Sequence, residues 1–190
     1  MCVGRRANSQ IEGLEELGVQ TERGAIVTDE HMQTSVPHVY AIGDVNGKVM
    51  LAHVGYREGE VAVNHILGED DAMSYDAISG VVYTSPEAAF VGLSEEQAKA
   101  SGQNYEVKKV SINFSGRLVA ENGLSNGICK LIVDRDEKTL IGAALMSSYA
   151  SEYIYALALM IDLKLPLRQI RRTIFPHPTV CEIIREALMD

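Results

Sequence analysis

Five segments rich in β-forming residues after residue 75 constrain the fold of the chain more than any other feature. Turn residues or helix-type patterns separate them, and the polar run from Asp134 to Lys138 has the character of a hairpin connection. This mixture of strand and helix signals predicts an α+β domain with a mostly antiparallel five-stranded sheet and flanking helices. The five segments are residues 81–83, 88–92, 105–112, 127–133 and 140–146.

Four helix patterns accompany these strands. The first opens with Ser94 and has Gln97 three residues later, which is the order of a capping box. The longest helix is predicted at residues 149–163, where an apolar stripe with spacings of three and four residues indicates one buried face. That stripe consists of Ile154, Leu157, Ala158 and Ile161, and shorter helices are predicted at residues 167–173 and, starting at Pro178, 178–189.

Residues 1–75 differ from residues 76–190 in their pattern of predicted strands and helices. They begin with a short apolar run, a glycine and a basic pair, a pattern that resembles the end of a strand from a larger domain. We therefore expect residues 76–190 to form a complete domain and residues 1–75 to be part of another. The predicted elements of residues 1–75 are a helix at 11–17, strands at 25–27 and 38–42, and a helix at 50–67 that ends at Gly68.

Composition limits the possible partners. The formal net charge of −9 disfavours nucleic acid and anionic lipid surfaces. The longest apolar stretch, residues 154–161, is far shorter than the ~20 residues of a membrane-spanning helix, so we expect a cytoplasmic protein without a membrane partner. Cys2, Cys129 and Cys181 have no metal-ligand spacing, which predicts free thiols in a reducing compartment and no metal site.

A first candidate site follows the predicted strand at residues 38–42. Gly43 permits close approach of a ligand to the backbone, and the Asp44 carboxylate can accept hydrogen bonds from ligand hydroxyls. The dipeptide alone is more often an ordinary turn in which the aspartate binds its own backbone.

A second candidate site lies near the C-terminal end. Pro178 is expected to start a helix and to place His177 just outside it, within reach of the Glu182 carboxylate. A histidine oriented by a carboxylate is suited to general acid–base chemistry. The simpler interpretation is a loop histidine next to a glutamate that favours the positive end of the helix.

The wider motifs resemble those of the pyridine nucleotide-disulfide oxidoreductases, flavoproteins with two dinucleotide-binding domains. The run Tyr40-Ala41-Ile42-Gly43-Asp44 is similar to their second flavin-contacting motif. The resemblance implies that Asp44 binds the ribityl chain of FAD, with Gly43 giving close approach. It also implies that a helix beginning at Met50, Leu51, Ala52 and His53 points its N-terminus at the flavin ring.

The C-terminal run His177-Pro178-Thr179-x-x-Glu182 resembles the signature of lipoamide dehydrogenases and glutathione reductases, and the residues after it favour the former. The resemblance implies that His177 exchanges a proton with a substrate thiol and that Glu182 orients it, while electrons pass through a disulfide and FAD to NAD. It also implies a cis His177–Pro178 peptide. Cys181 departs from the serine expected in the family, and we interpret it as a packing residue.

The resemblance extends over the whole chain but corresponds only to the C-terminal half of the family. It implies a homodimer whose interface domain is residues 76–190, preceded by a remnant of the FAD- and NAD-binding region at residues 1–75. Implied partners are lipoyl-bearing proteins of 2-oxo acid dehydrogenase or glycine cleavage systems.

The sequence contains neither a Gly-x-Gly-x-x-Gly turn nor a Cys-x-x-x-x-Cys pair. We therefore expect a partial protein that alone binds neither FAD nor NAD and is inactive. The alternatives are part of a glutathione reductase-type enzyme and a non-catalytic dimerisation module.

Overall fold

A computed structural model describes residues 3–189, so the predicted free thiol of Cys2 lies outside the described residues. The chain divides into two compact units, Met1–Tyr75 and Asp76–Asp190. None of the helices within residues 3–189 has the length and apolar character that crossing a lipid bilayer requires.

The first unit contains a small hairpin and one long helix. Strands β1 (Thr21–Glu22) and β2 (Ala25–Ile26) pair antiparallel, and a 3-10 helix at Gly43–Asn46 precedes α1 (Ala52–Leu67). As predicted, α1 ends at Gly68, which takes a left-handed conformation with φ of 80°. Met32, Val61 and Ala62 form one buried cluster of this unit.

Two elements predicted in this unit are absent from it. Residues 11–17 form turns instead of a helix, because Gly13 has a φ of +81° and this left-handed conformation interrupts the helical hydrogen-bond ladder. Residues 38–42 are not a strand, since His38 has a φ of +64° and the backbone pairing is confined to a single bridge between Gln33 and Tyr40.

The second unit contains the predicted sheet. Its strands are β3 (Gly80–Val82), β4 (Glu87–Gly92), β5 (Tyr105–Ser111), β6 (Ile128–Asp134) and β7 (Leu140–Ser147). Their order is β3-β4-β7-β6-β5 and every neighbouring pair is antiparallel, which confirms the expected α+β class.

Five α-helices lie among the described residues of the same unit: α2 (Glu95–Ala100), α3 (Gly116–Asn122), α4 (Ala150–Asp162), α5 (Leu167–Arg172) and α6 (Glu182–Met189). The capping box predicted at the start of α2 is present, with both reciprocal hydrogen bonds between Ser94 and Gln97. The short helix α3 was not predicted, because Gly116 at its first position is a poor helix former and only the Ser115 side chain indicates its start.

Helices α4 and α6 supply much of the core of the second unit. Ile154, Leu157 and Ile161 of α4 are buried, as their spacing predicts, and Ala158 is partly buried beside them. Each fully buried leucine or isoleucine side chain contributes about 1.5–3 kcal/mol of transfer free energy. The buried side chains of α6 are Ile183, Ile184, Ala187 and Leu188, so the helix that follows the second candidate site is firmly attached to the sheet domain.

The start of α6 differs from the prediction. The helix begins at Glu182 and not at Pro178, and the residues between them form bends and a single turn at Cys181. The reason is local: the Thr179 hydroxyl donates to the Pro176 carbonyl oxygen, and the Thr179 N–H donates to the Glu182 carboxylate. These bonds close a turn before the helical ladder starts.

Candidate functional site

The first candidate site lies where the 3-10 helix packs on α1. Gly43 has a φ of +72°, a conformation that glycine adopts without strain. A Cβ atom built at Gly55 of α1 would be 3.2 Å from the Gly43 Cα, whereas one built at Gly43 would meet no atom of the described chain within 4 Å. The Gly43 backbone is therefore in close contact with α1 on one side and open on the other.

Asp44 presents its carboxylate at this open corner. Its side chain is 49% exposed and pairs with Arg5 at 3.4 Å between Oδ2 and the guanidinium Nη2. The Arg5 side chain is itself 76% exposed, and pairs of this kind are weak and easily exchanged. Asp44 is thus available to accept hydrogen bonds from a ligand.

The remaining predicted cofactor residues surround the start of α1. Leu51 is the N-cap residue of α1, and its side chain makes no capping hydrogen bond. Ala52 and His53 are exposed, while Met50 and Leu51 are half-buried. Such a helix N-terminus carries partial positive charge and favours an electron-rich ligand edge.

Sequence reasoning missed Glu58 in this unit. Glu58 is fully buried on α1 and its Oε2 accepts the Gly43 N–H at 2.5 Å. Its other oxygen accepts the Tyr75 hydroxyl at 2.7 Å. The only sequence signal was an ionisable residue at an apolar-face position of a helix, between the buried residues Val54 and Val61.

The second candidate site is formed by the turn before α6. The Nδ1 atom of His177 lies 2.9 Å from Oε1 of Glu182, so the predicted hydrogen bond is present. The His177 side chain is 80% exposed, whereas that of Glu182 is only 24% exposed. With Nδ1 directed at the carboxylate, Nε2 is the ring nitrogen that can exchange a proton with a substrate.

Thr179 belongs to the signature run, but the sequence did not reveal its contact with Glu182. Its N–H donates to Oε2 of Glu182 at 2.8 Å, so both carboxylate oxygens have donors. The Thr179 N–H, followed by the His177 ring, holds the pKa of the Glu182 carboxyl below its ordinary value. The His177–Pro178 peptide is cis, as the resemblance implied. Cys181 is partly buried and packs against the core, which agrees with the packing role inferred for it.

The described cysteines are free thiols. Cys129 is fully buried, and burial raises the pKa of its thiol to about 12, which disfavours the reactive thiolate. Within residues 3–189 no group of three or more histidine, cysteine, aspartate or glutamate side chains is arranged to hold a metal ion.

Two family models match the chain. One, described as the dimerisation domain of pyridine nucleotide-disulphide oxidoreductases, matches residues 78–188, and one described as pyridine nucleotide-disulphide oxidoreductase matches residues 1–59. The dihydrolipoyl dehydrogenase of Haemophilus influenzae is 38% identical over 97% of this chain and 38% of its own length. That of Geobacillus stearothermophilus is 40% identical over 98% of this chain and 40% of its own length. The chain thus spans about two fifths of the length of these relatives.

Solved protein structures are also similar to this chain. LpdA from Mycobacterium tuberculosis has a TM-score of 0.90 and 26% identity, over 97% of this chain and 40% of that one. The Cu(II) complex of the HOCl-induced flavoprotein disulfide reductase RclA from Escherichia coli has a TM-score of 0.88 and 26% identity, over 99% of this chain and 43% of that one.

Proposed function

Because the chain belongs to the pyridine nucleotide-disulphide oxidoreductase family and is dihydrolipoyl dehydrogenase-like, we propose that it forms part of an FAD-dependent, NAD-linked dihydrolipoyl dehydrogenase. In this proposal residues 1–75 belong to the cofactor-binding region and residues 76–190 form the interface domain of a homodimer. The substrates would be dihydrolipoyl groups carried by proteins of 2-oxo acid dehydrogenase or glycine cleavage systems.

The hydrogen bond between His177 and Glu182 is the observation that carries the proposal. A dihydrolipoyl thiol must lose its proton before its sulfur can attack a disulfide, because the thiolate is the nucleophile. Nε2 of His177 can accept that proton in an exposed position. Glu182 holds the ring through Nδ1 and stabilises the imidazolium that forms, and the Thr179 N–H holds Glu182 in turn.

The corner at Gly43 and Asp44 fits a role in FAD binding. An exposed carboxylate can accept hydrogen bonds from the ribityl hydroxyls, and the open side of Gly43 leaves room for a ligand at the backbone. Met50, Leu51, Ala52 and His53 would present the positive end of α1 to the flavin ring. When bound, FAD supplies the two-electron acceptor for the disulfide chemistry. We expect the 190-residue chain alone to bind neither FAD nor NAD.

The proposed homodimer is supported by an apolar surface on α4. Tyr155, Leu159 and Leu163 are exposed at the side and end of the helix, whereas Ile154 and Leu157 face the core. In the proposed dimer, His177 of one subunit would serve the flavin and disulfide of the other.

Substitution of His177 by glutamine in the complete enzyme tests the proposal. Loss of a general acid–base group should slow oxidation of dihydrolipoamide by on the order of 10²–10⁴-fold. Flavin content should not change, because His177 lies outside the residues assigned to FAD. Steady-state kinetics with the flavin absorbance band as the control measure both quantities. A rate within twofold of the unsubstituted enzyme would remove His177 from the mechanism.

A further inference from the structure

Glu58 is a carboxylate in the interior of the first unit. It is 0% exposed and lies on the same face of α1 as the buried residues Val54, Val61 and Ala62. A buried carboxylate is costly unless donors satisfy both of its oxygens. An apolar side chain could fill this position in the core, so the presence of a glutamate points to a requirement for its hydrogen bonds.

Those hydrogen bonds connect two distant parts of the chain. Oε2 accepts the backbone N–H of Gly43 at 2.5 Å, and Oε1 accepts the hydroxyl of Tyr75 at 2.7 Å. Gly43 immediately precedes Asp44, and the Tyr75 hydroxyl also lies 3.8 Å from the sulfur of Met32, which is buried. The Tyr75 hydroxyl therefore fixes one oxygen of the Glu58 carboxylate, and the other oxygen fixes the Gly43 backbone.

The surface of α1 is shaped to allow this contact. Gly55 and Gly59 lie on either side of Glu58 on the helix, three residues before it and one after. A Cβ built at Gly55 would lie 3.2 Å from the Gly43 Cα, and one at Gly59 would lie 3.4 Å from Cδ1 of Ile42. The absence of side chains at both positions lets the backbone of residues 42–43 lie against the helix within reach of the carboxylate.

We propose that Glu58 is a positioning residue for the flavin-contacting corner. By binding the Gly43 N–H, it determines the backbone position from which Asp44 extends its exposed carboxylate. Within residues 3–189, the Asp44 side chain is held by the weak ion pair with Arg5, so its placement depends mainly on the backbone. The inference rests on the proposed function, because Asp44 acts here as an FAD ligand.

A double-mutant cycle in the complete enzyme tests this relationship. The dissociation constant of FAD is measured by flavin fluorescence for wild type, Asp44→Ala, Glu58→Leu and the double variant. Loss of a hydrogen bond to a charged group corresponds to an increase of about 10- to 100-fold for each single variant. Because Glu58 acts through Asp44, Glu58→Leu should change the constant by less than about threefold in the Asp44→Ala background.

Glu58→Gln provides the rescue that distinguishes positioning from charge. The glutamine oxygen can accept the Gly43 N–H while its amide donates to the Tyr75 oxygen, so both contacts persist without the charge. FAD affinity should stay within about threefold of wild type. If Glu58→Leu does not fold, the double variant Glu58→Gln/Tyr75→Phe replaces it. Phenylalanine removes the Tyr75 oxygen that accepts from the glutamine side-chain amide, so the side chain is held less firmly. FAD binding should then be weaker than in Glu58→Gln alone.

Val61→Ala is the matched control, because Val61 is fully buried on the same helix and is not among the partners of Gly43. It should reduce stability without changing FAD affinity. Equal weakening of FAD binding by Val61→Ala and Glu58→Leu would overturn the inference in favour of a purely structural role. Full additivity in the cycle would also overturn it. If Asp44→Ala leaves FAD affinity unchanged, the assignment of Asp44 in the proposed function fails, and the inference fails with it.

Discussion

Glu182→Gln is a demanding test of the second candidate site, because it preserves the size of the side chain and removes its charge. In the structure Oε1 accepts from His177 at 2.9 Å and Oε2 accepts from the Thr179 N–H at 2.8 Å. The glutamine has one acceptor oxygen, so one donor loses its partner. A hydrogen bond to a charged group contributes about 1.5–3 kcal/mol, and partial exposure of the site reduces this, so we expect a loss of about 1–2 kcal/mol at pH 7.

The pH dependence of this loss has a defined sign. The Thr179 N–H and the His177 ring hold the folded-state pKa of Glu182 below its ordinary value of 4.5. The unfolded state therefore binds the proton more readily, and the stabilisation is fully present above that ordinary value. It disappears as the pH falls through the folded-state pKa, where the native carboxylate becomes protonated.

Urea unfolding of the wild-type chain and the variant, followed by circular dichroism between neutral and acidic pH, measures this difference. Glu186→Gln is the matched control, since Glu186 lies on the same helix and forms an exposed ion pair with Arg185 at 3.5 Å. Its effect should be below about 0.5 kcal/mol. Equal unfolding free energies for wild type and Glu182→Gln at pH 7, or a difference that does not shrink in acid, would refute the reasoning.

Three further predictions concern the sheet domain. Ser94→Ala should destabilise the chain by about 1 kcal/mol through loss of the capping box at α2, and an unchanged urea midpoint would contradict this. Cys129 should resist iodoacetamide at pH 8 in the folded chain, because burial raises the pKa of its thiol to about 12; peptide mapping that finds it labelled as fast as in urea would argue otherwise. Light scattering at micromolar concentration should give twice the chain mass if the proposed homodimer forms, and only the monomer mass would count against it.

Much of the sheet domain could be read from the sequence because its signals are local. Strand segments are recognised by β-forming residues between turns, and the buried stripe on α4 is recognised by its spacing. The structure confirmed both the antiparallel sheet and the buried face of α4. The hydrogen bond of His177 to Glu182 was also predictable, since the two residues are only five positions apart. The match to the family confirms the resemblance that these motifs indicated.

Other features depended on tertiary structure or on backbone conformations that residue type does not reveal. The turn at residues 11–17 depends on the positive φ of Gly13. Glycine adopts positive and negative φ about equally, so the residue type does not reveal which one occurs. The predicted strand at residues 38–42 failed because a strand requires a partner backbone along its length, and pairing here is limited to one bridge.

Glu58 shows most clearly what the sequence determines and what only the tertiary structure determines. From the sequence by itself it is a charged residue in an otherwise apolar helical stripe, with nothing to indicate whether it is solvated or buried. The structure places it in the core with donors from Gly43 and Tyr75, 15 and 17 residues away. Propensity and periodicity are properties of neighbouring residues, whereas satisfaction of a buried charge depends on which distant groups the fold brings within about 3 Å of it.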